Sequence, residues 1–232
     1  MKKITGFITI CMFITSLAVA DTEFPDFFSR LEFQTYGGLS LPTDNSFLHL
    51  YNVGTNEGAS LGYRFDGSFS VLVDENLHSF SSSDSVYYTN GVFIGNSYKT
   101  VAEDIFELAI LAKYRVPSSH SKISPYFFAG GGLAWNDQYY VSAFDGFSGF
   151  NDWNINPMLE GGMGLQWAAN DVVGVFLQQK ISMVFNSNRN FVVDSPIDYF
   201  SVEAGINISL QTPLAPSSGA DANPPNLAPA EH

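Results

Sequence analysis

The stretch IFELAILAKYRV, residues 105–116, decides the fold. Wound as an α-helix, it would place Lys113 within a stripe that is otherwise apolar. As a β-strand, whose side chains alternate between two faces, it separates cleanly. We therefore predict a β-strand with one apolar face and one charged face. The first face carries Phe106, Leu108, Ile110, Ala112, Tyr114 and Val116, and the second carries Glu107, Ala109, Leu111, Lys113 and Arg115.

The same alternation recurs in seven further segments of the chain. Most of them are about long enough to cross a bilayer at a tilt, for which roughly 9–11 residues are needed. Together with residues 105–116 they predict eight strands. The seven segments are residues 31–40, 60–65, 69–74, 124–135, 157–167, 172–185 and 199–210.

The connections between these segments alternate in length. Alternating short and long connections are typical of up-and-down barrels in bacterial outer membranes, where the short turns lie on the periplasmic side and the long loops outside. The sequence therefore predicts an all-β fold, an eight-stranded antiparallel up-and-down transmembrane barrel. Short turns are predicted at Asp66-Gly67, 117–123 and 168–171, and long loops at 41–57, 75–104, 136–153 and 186–197.

The charged side chains of the predicted strands share one face. A basic side chain on the lipid side would cost about 2–4 kcal/mol at the bilayer midplane, so we expect this face to line the lumen. Glycines on the same face, such as Gly38 and Gly162, would leave space for larger neighbours. The alternative is a secreted, soluble calycin-like binding barrel with its charges outward. The predicted lumen charge network comprises Glu32, Arg64, Asp74, Glu107, Lys113, Arg115, Glu160, Lys180 and Glu203.

Opposite charges in a confined lumen are expected to form ion pairs, because an unpaired buried charge is costly. We expect at least one such pair across neighbouring strands. Lys180 should reach Glu160 or Glu203, which belong to the strands predicted on its two sides, while Gln179 should face lipid.

Both ends of the chain differ from the barrel region. Residues 1–20 are predicted to be a cleaved signal peptide, because Lys2 and Lys3 precede an apolar segment that ends in Ala18-Val19-Ala20. Cys11 is the only cysteine, so we expect the mature chain to contain no disulfide. Residues 21–210 form the predicted barrel, and residues 211–232, rich in Pro, Ala and Ser, a predicted disordered tail. The predicted location is the bacterial outer membrane.

Three stretches resemble a known group of proteins. They are SPYFFAGGGLAW (124–135), LEGGMGLQW (159–167) and the last strand, with Glu203, Gly205, Ile208 and Leu210 at the spacing of an outer-membrane assembly signal. The chain thereby resembles the small eight-stranded outer-membrane barrels, the OmpA-, OmpW- and opacity-porin-like group. The resemblance implies contact with outer-membrane lipid and lipopolysaccharide and with the barrel insertion machinery. Two departures are the final Leu210, where an aromatic residue is usual, and the tail that follows it.

Motifs for catalysis or cofactor binding are incomplete. The glycines of AGGGLAW (129–135) lack a following Gly-Lys-Ser/Thr. The Ser-His pairs at 78–79 and 120–121 lie in predicted loops without a partner carboxylate. Asp145, Asn151 and Asp152 do not form a calcium-loop pattern. We therefore predict no enzyme, no cofactor and no metal. Asn90-Gly91 predicts a hairpin over residues 85–98, and the loop residues offered for interaction are Tyr87, Tyr88, Phe93, Tyr139 and Tyr140.

Composition narrows the function further. The chain is 45% hydrophobic, which argues against disorder. Its net charge of −13 argues against binding of nucleic acid. An eight-stranded barrel fills its lumen with side chains. We therefore expect a structural or surface-interaction role with little or no open pore, toward an external ligand or partner that the sequence does not identify. The alternative is a narrow channel for small or hydrophobic solutes.

Overall fold

The computed structural model describes Phe27 and residues 29–43, 51–81, 87–89, 97–117, 122–142, 151–185 and 196–209. The predicted signal peptide, the predicted tail and Leu210 lie outside the described residues. Among the residues that are described, no helix is long and apolar enough to cross a membrane.

The described residues form nine β-strands, and each strand is antiparallel to the strands with which it pairs. Eight of them close into a barrel, because β1 pairs with β9 and β3 pairs with β5, and the short β4 extends the sheet beside β5. This confirms the predicted fold class. The strands are β1 (Leu31–Pro42), β2 (Gly54–Arg64), β3 (Phe69–Ser81), β4 (Tyr87–Thr89), β5 (Ser97–Arg115), β6 (Ile123–Ser142), β7 (Asn151–Ala168), β8 (Val173–Val184) and β9 (Ile197–Ser209).

Neighbouring strands are staggered. A path of directly opposed residues that leaves β5 at Tyr114 and passes once around the barrel returns to β5 at Asp104, ten residues away. With about 3.3 Å per residue and about 4.8 Å between strands, this stagger sets a strand tilt of about 40° and a backbone radius of about 8 Å. The interior is therefore narrow enough for side chains to fill.

Aromatic side chains mark two levels on the outward face. Tyr114 and Phe106 of β5 belong to different levels. They are eight positions apart in the strand, which corresponds to about 20 Å along the barrel axis at this tilt. A membrane barrel carries such girdles at the two edges of its apolar band. The turn-end girdle contains Phe33, Tyr63, Phe65, Phe69, Tyr114, Phe127 and Trp167, and the loop-end girdle contains Phe106, Trp135, Phe185 and Phe200.

The strands are longer than the sequence pattern predicts. Residues 75–81, 97–104, 136–142 and 151–153, which were predicted as loops, belong to β3, β5, β6 and β7. The prediction ended each strand where polar residues became frequent. Apart from Glu75, which faces outward within the apolar band, the polar residues of these extensions face the lumen or lie at or beyond the loop-end girdle, where alternation with lipid no longer constrains them.

The predicted hairpin at Asn90-Gly91 is wrong in its register. A two-residue turn there would oppose Tyr88 to Phe93, whereas Tyr88 opposes Tyr98 and Tyr87 opposes Lys99. The reason is that β5 continues to Ser97 through its pairing with β6, so β4 pairs with this extension. Phe93 lies outside the described residues.

Candidate functional site

Lys180 of β8 lies at the centre of a buried acidic region, which we call the acidic centre. Its Nζ atom is 3.1 Å from Oε2 of Glu160 and 3.8 Å from Oε1 of Glu203, on the two neighbouring strands. It is also 3.0 Å from Oε2 of Glu107 and 3.9 Å from Oδ2 of Asp74, which reach it across the lumen. One ammonium group is therefore shared by four carboxylates.

Glu107 links the acidic centre to the loop end of the lumen. Its Oε2 lies 3.0 Å from Nε2 of His78, and its Oε1 accepts a short hydrogen bond from the Tyr199 hydroxyl. The other ring nitrogen of His78 is 2.7 Å from Oγ of Ser40, which in turn is 3.1 Å from Oγ of Ser201. A continuous polar chain thus runs from Lys180 to Ser201.

Ser40, His78 and Glu107 stand in the order of a hydrolase triad, serine to imidazole to carboxylate. All three are fully buried, with 0% of their surface exposed. The prediction that His78 is a solvated loop residue is wrong, because β3 extends through it and turns it into the lumen. The arrangement orders a buried network.

Two further carboxylates of the acidic centre, Asp74 and Glu203, are held by neutral donors. Asp74 Oδ1 accepts hydrogen bonds from Tyr36 at 2.7 Å and from Ser60 at 2.6 Å. Glu203 accepts hydrogen bonds from three amides, at 2.6 Å from Gln178, 2.9 Å from Asn56 and 3.3 Å from Asn76. Charge-assisted hydrogen bonds of this kind are stronger than neutral ones and fix the carboxylates in place.

A second charged region lies at the turn end and is called the basic cluster. Its centre is Glu32 of β1, whose Oε2 is 3.1 Å from Nη2 of Arg64 and 3.4 Å from Nη2 of Arg115. Lys113 lies in the same region with its Nζ 4.5 Å from the centre of the Tyr126 ring, which is a cation–π contact. Here one carboxylate pairs with two arginines, and a third cation, Lys113, lies in the same region.

Two apolar clusters enclose the acidic centre. Along β5, Ile105 precedes Glu107 toward the loop end, and Ala109 and Leu111 follow it before the basic cluster begins at Lys113. A cavity of ≈ 10 Å³, roughly the space of one water molecule, lies between the two charged regions. The loop-end cluster contains Tyr51, Phe80, Ile105, Ala134, Met158, Val184, Ile197 and Tyr199, and the turn-end cluster contains Tyr36, Leu72, Ala109, Leu111, Tyr126, Phe128 and Phe176.

Glycines of β7 make room for the turn-end cluster. A Cβ atom on Gly164 would lie 2.5 Å from the Tyr126 ring, and one on Gly162 would lie 2.6 Å from the Phe128 ring. Each aromatic ring therefore occupies the volume that a side chain on the neighbouring strand would need. The rings and the β7 backbone are therefore closely packed in this part of the lumen.

The structure places all nine residues of the predicted lumen network inward, in two separate regions. Sequence reasoning missed Ser40, His78 and Tyr199, which complete the acidic centre. The signal for Ser40 and Tyr199 was their position on the charged face of recognised strands. For His78 it was the alternation of Leu72, Asp74, Asn76, His78 and Phe80, which continues past the point where the strand was ended.

The remaining predicted residues are dispersed. Glu203 faces the lumen and Ile208 the outer wall, so an assembly signal read from them stays a prediction. Tyr139 and Tyr140 were predicted in a loop, and this is wrong, because they belong to β6, opposite Ala102 and Thr100. Asn151 and Asp152 begin β7. Within the described ranges, no group of three or more His, Cys, Asp or Glu side chains could hold a metal ion.

The fold has solved counterparts. Comparison of the sequence with protein families and with curated proteins finds no match. Neisserial surface protein A is 13% identical, with a TM-score of 0.54 over 77% of this chain and 96% of that one. The barrel domain of Pseudomonas aeruginosa OprF is 13% identical (TM-score 0.42, 77% and 95% covered), and Ail of Yersinia pestis is 10% identical (0.45, 77% and 97%). The chain thus has the fold of the small eight-stranded outer-membrane β-barrels.

Proposed function

We propose that this protein is an integral outer-membrane barrel without an open pore, and that its role is structural or one of surface interaction. The observation that supports this is the filled lumen, in which the acidic centre lies between two apolar clusters. Export by a cleaved signal peptide and insertion through Glu203, Gly205, Ile208 and Leu210 belong to the same proposal. No enzymatic activity is proposed, because Ser40 is buried.

The surface role rests on the loop end of the barrel. Residues 97–105 of β5, 136–142 of β6 and 151–154 of β7 continue beyond the loop-end girdle as paired strands. The short β4 adds one more strand to this projecting sheet. A sheet that rises from a closed, rigid barrel is suited to present its connecting loops to an external partner. Tyr87, Tyr88, Tyr139 and Tyr140 all belong to it.

Conductance of the refolded protein in a planar bilayer tests the closed lumen. We expect no unit conductance steps, because a path along the axis through the described lumen crosses both apolar clusters. Steady steps would contradict the proposal and support the alternative, a narrow channel for small or hydrophobic solutes. Folding of each sample is checked by its migration in a detergent gel, which should differ between unheated and boiled protein, since a closed barrel resists detergent.

Replacement of residues 82–96 by a short Gly-Ser link tests the division of roles. The barrel strands β3 and β5 remain complete in this variant, so we expect insertion and heat-dependent migration to be unchanged. Loss of barrel assembly would show that this segment contributes to the membrane wall instead of to the surface, and the surface role would then have to rest on the other loops.

A further inference from the structure

The outward face of β1, β2 and β3 carries two carboxylates. Glu57 of β2 is exposed and Glu75 of β3 is half-buried, and both belong to the alternation that faces away from the lumen. Glu57 opposes Leu77 and Glu75 opposes Ala59, so the two acids are diagonal neighbours on adjacent strands. Both were predicted in loops. For Glu75 the predicted strand ended at Asp74, because two consecutive acids interrupt the apolar alternation, although Asp74 and Glu75 point to opposite faces.

Both carboxylates lie within the apolar band. Glu75 opposes Leu108 of β5, between the girdle residues Tyr114 and Phe106 of that strand. On its own strand, outward Val73 lies on the turn side of it and Leu77 on the loop side. At the tilt derived above, Glu57 lies about 14 Å and Glu75 about 12 Å from the level of Tyr114, inside the band of about 20 Å that ends at Phe106.

The remainder of the circumference shows what faces lipid here. Between the girdles, the outward positions of β5 to β9 are apolar or glycine, apart from Gln179. On β1 to β3 the outward set includes Thr35, Gly37, Thr55, Glu57 and Glu75. An ionisable side chain in the hydrocarbon region is costly, and in membrane proteins it is found paired or facing a polar environment. This sector of the wall therefore does not have the composition of a lipid-facing surface.

Among the residues that the structure describes, no cation is placed to neutralise this sector. Arg64, Lys113, Arg115 and Lys180 lie in the lumen. Arg30 and Lys122 lie at the turn end, and Lys99 belongs to the part of β5 beyond the loop-end girdle. A second copy of the chain would bring these same described cations at the same depths. A symmetric contact between two copies would instead bring four carboxylates together.

We propose that the outward face of β1–β3 at mid-depth is an interface for a different membrane-embedded protein, one that places a lysine or arginine opposite Glu57 and Glu75. Ion pairing across the contact removes the cost of the two carboxylates. Outward Gly37 and Ala59, beside them, leave the wall flat, so the backbone of a partner segment can approach closely. This contact lies inside the membrane and is distinct from any interaction of the outer loops.

Photo-crosslinking in the native outer membrane tests the interface. A photoreactive residue is placed at Gly37 or at Ala59, and at Leu159 of β7 and Ile181 of β8 as exposed controls on the other side of the barrel. We expect an adduct with another protein only from Gly37 and Ala59, mapped by mass spectrometry to a membrane-embedded segment that contains Lys or Arg. Glu57→Gln combined with Glu75→Gln should reduce that adduct at least tenfold. An adduct of twice the chain's mass, a mapped segment without a basic residue, or equal reaction at the controls would overturn the proposal.

Thermal unfolding of the purified protein in lipid vesicles keeps the test independent of the partner. Without the partner the two carboxylates face lipid, so Glu57→Gln with Glu75→Gln should raise the thermal midpoint or leave it unchanged. Glu160→Gln, at a buried carboxylate paired with Lys180, is the control and should lower it. A fall in the midpoint of the double variant would show that Glu57 and Glu75 are satisfied within the chain. Absence of any carboxylate-dependent adduct would show that this face contacts lipid only.

Discussion

The acidic centre and the basic cluster are opposite solutions to the same problem. In the acidic centre one cation, Lys180, holds four carboxylates, and in the basic cluster one carboxylate, Glu32, pairs with Arg64 and Arg115 in a region that also contains Lys113. They differ in access to water. The Lys180 side chain is 1% exposed between two apolar clusters, whereas the Arg115 side chain at the turn end is 17% exposed. A single charge surrounded by opposite charges should therefore contribute most to stability where water cannot reach the site and take its place.

Lys180→Leu should have the largest effect. It leaves four buried carboxylates without their shared cation, and breaking a buried ion pair costs about 3–5 kcal/mol. The free energy of unfolding, measured by urea titration in lipid vesicles, should fall by that amount. The control is Gln179→Leu, which changes the adjacent, outward-facing residue and should be neutral or stabilising. If Gln179→Leu were the more damaging change, the facing of β8 would be inverted.

Gly164→Val tests the barrier between the two charged regions. The added side chain would meet the Tyr126 ring, since even a Cβ atom would lie 2.5 Å from it. Overpacking of this kind costs about 1–3 kcal/mol, and we expect the upper part of that range because the barrel wall cannot expand. Gly161→Val is matched to it on the outward face of the same strand, where a Cβ would meet nothing closer than 3.4 Å. Equal losses in the two variants would show that β7 resists any side chain, and not that the lumen is full.

Glu32→Gln should cost less than Lys180→Leu, about 1–3 kcal/mol. Water and salt anions can reach the basic cluster through Arg115 and partly replace the carboxylate. The loss in unfolding free energy should therefore shrink as salt rises from 0.01 M toward 1 M, because exposed charges are screened. The loss from Lys180→Leu should not shrink. A salt-independent Glu32→Gln would show that the turn end is as closed as the acidic centre.

Substitution of Asp66, in the turn between β2 and β3, should have the smallest effect on stability, and it serves as the reference for an exposed charge. Backbone N–H groups of Ser68 and Phe69 donate to Asp66 Oδ1 at 2.6 and 2.7 Å, and these hydrogen bonds lower the pKa of the Asp66 carboxyl below its ordinary value of 3.8. Its contribution to stability is complete above that value and is lost as pH falls through the lowered pKa.

The turn after β7 supplies the matched case for this acid titration. Asn170 Oδ1 accepts the same two backbone bonds, from Val172 at 2.9 Å and Val173 at 2.7 Å, without a titratable group. Asp66→Asn should therefore keep the turn and remove its share of the acid-dependent loss, measured as the thermal midpoint between pH 2 and pH 6. An unchanged acid profile would show that Asp66 contributes nothing to stability.

Alternation along single strands could be predicted from the sequence, because the polarity of each residue indicates whether its side chain faces lipid or the lumen. The ends of the strands could not be predicted. Asp74 and Glu75 are consecutive acids that lie on opposite faces, and Asn76 and His78 have the polarity of loop residues although they face the lumen. The pair Lys180–Glu160 follows from strand order alone. The pair Lys180–Glu107 joins strands across the lumen. It depends on the ten-residue stagger, which is a property of the closed barrel and of no local segment.

Closure between β1 and β9 has a consequence for how the protein forms. The hydroxyl groups of Ser40 and Ser201 lie 3.1 Å apart although 161 residues separate them in the chain. Contacts between such distant segments close late and slowly, because most of the chain must be ordered before they are made. Until β9 is in place, β1 is an open edge with unpaired backbone groups that the hydrocarbon of a membrane cannot satisfy. Insertion should therefore be nearly all-or-none. The pairing of β9 with β1 should be the last step, and it should make the inserted state stable.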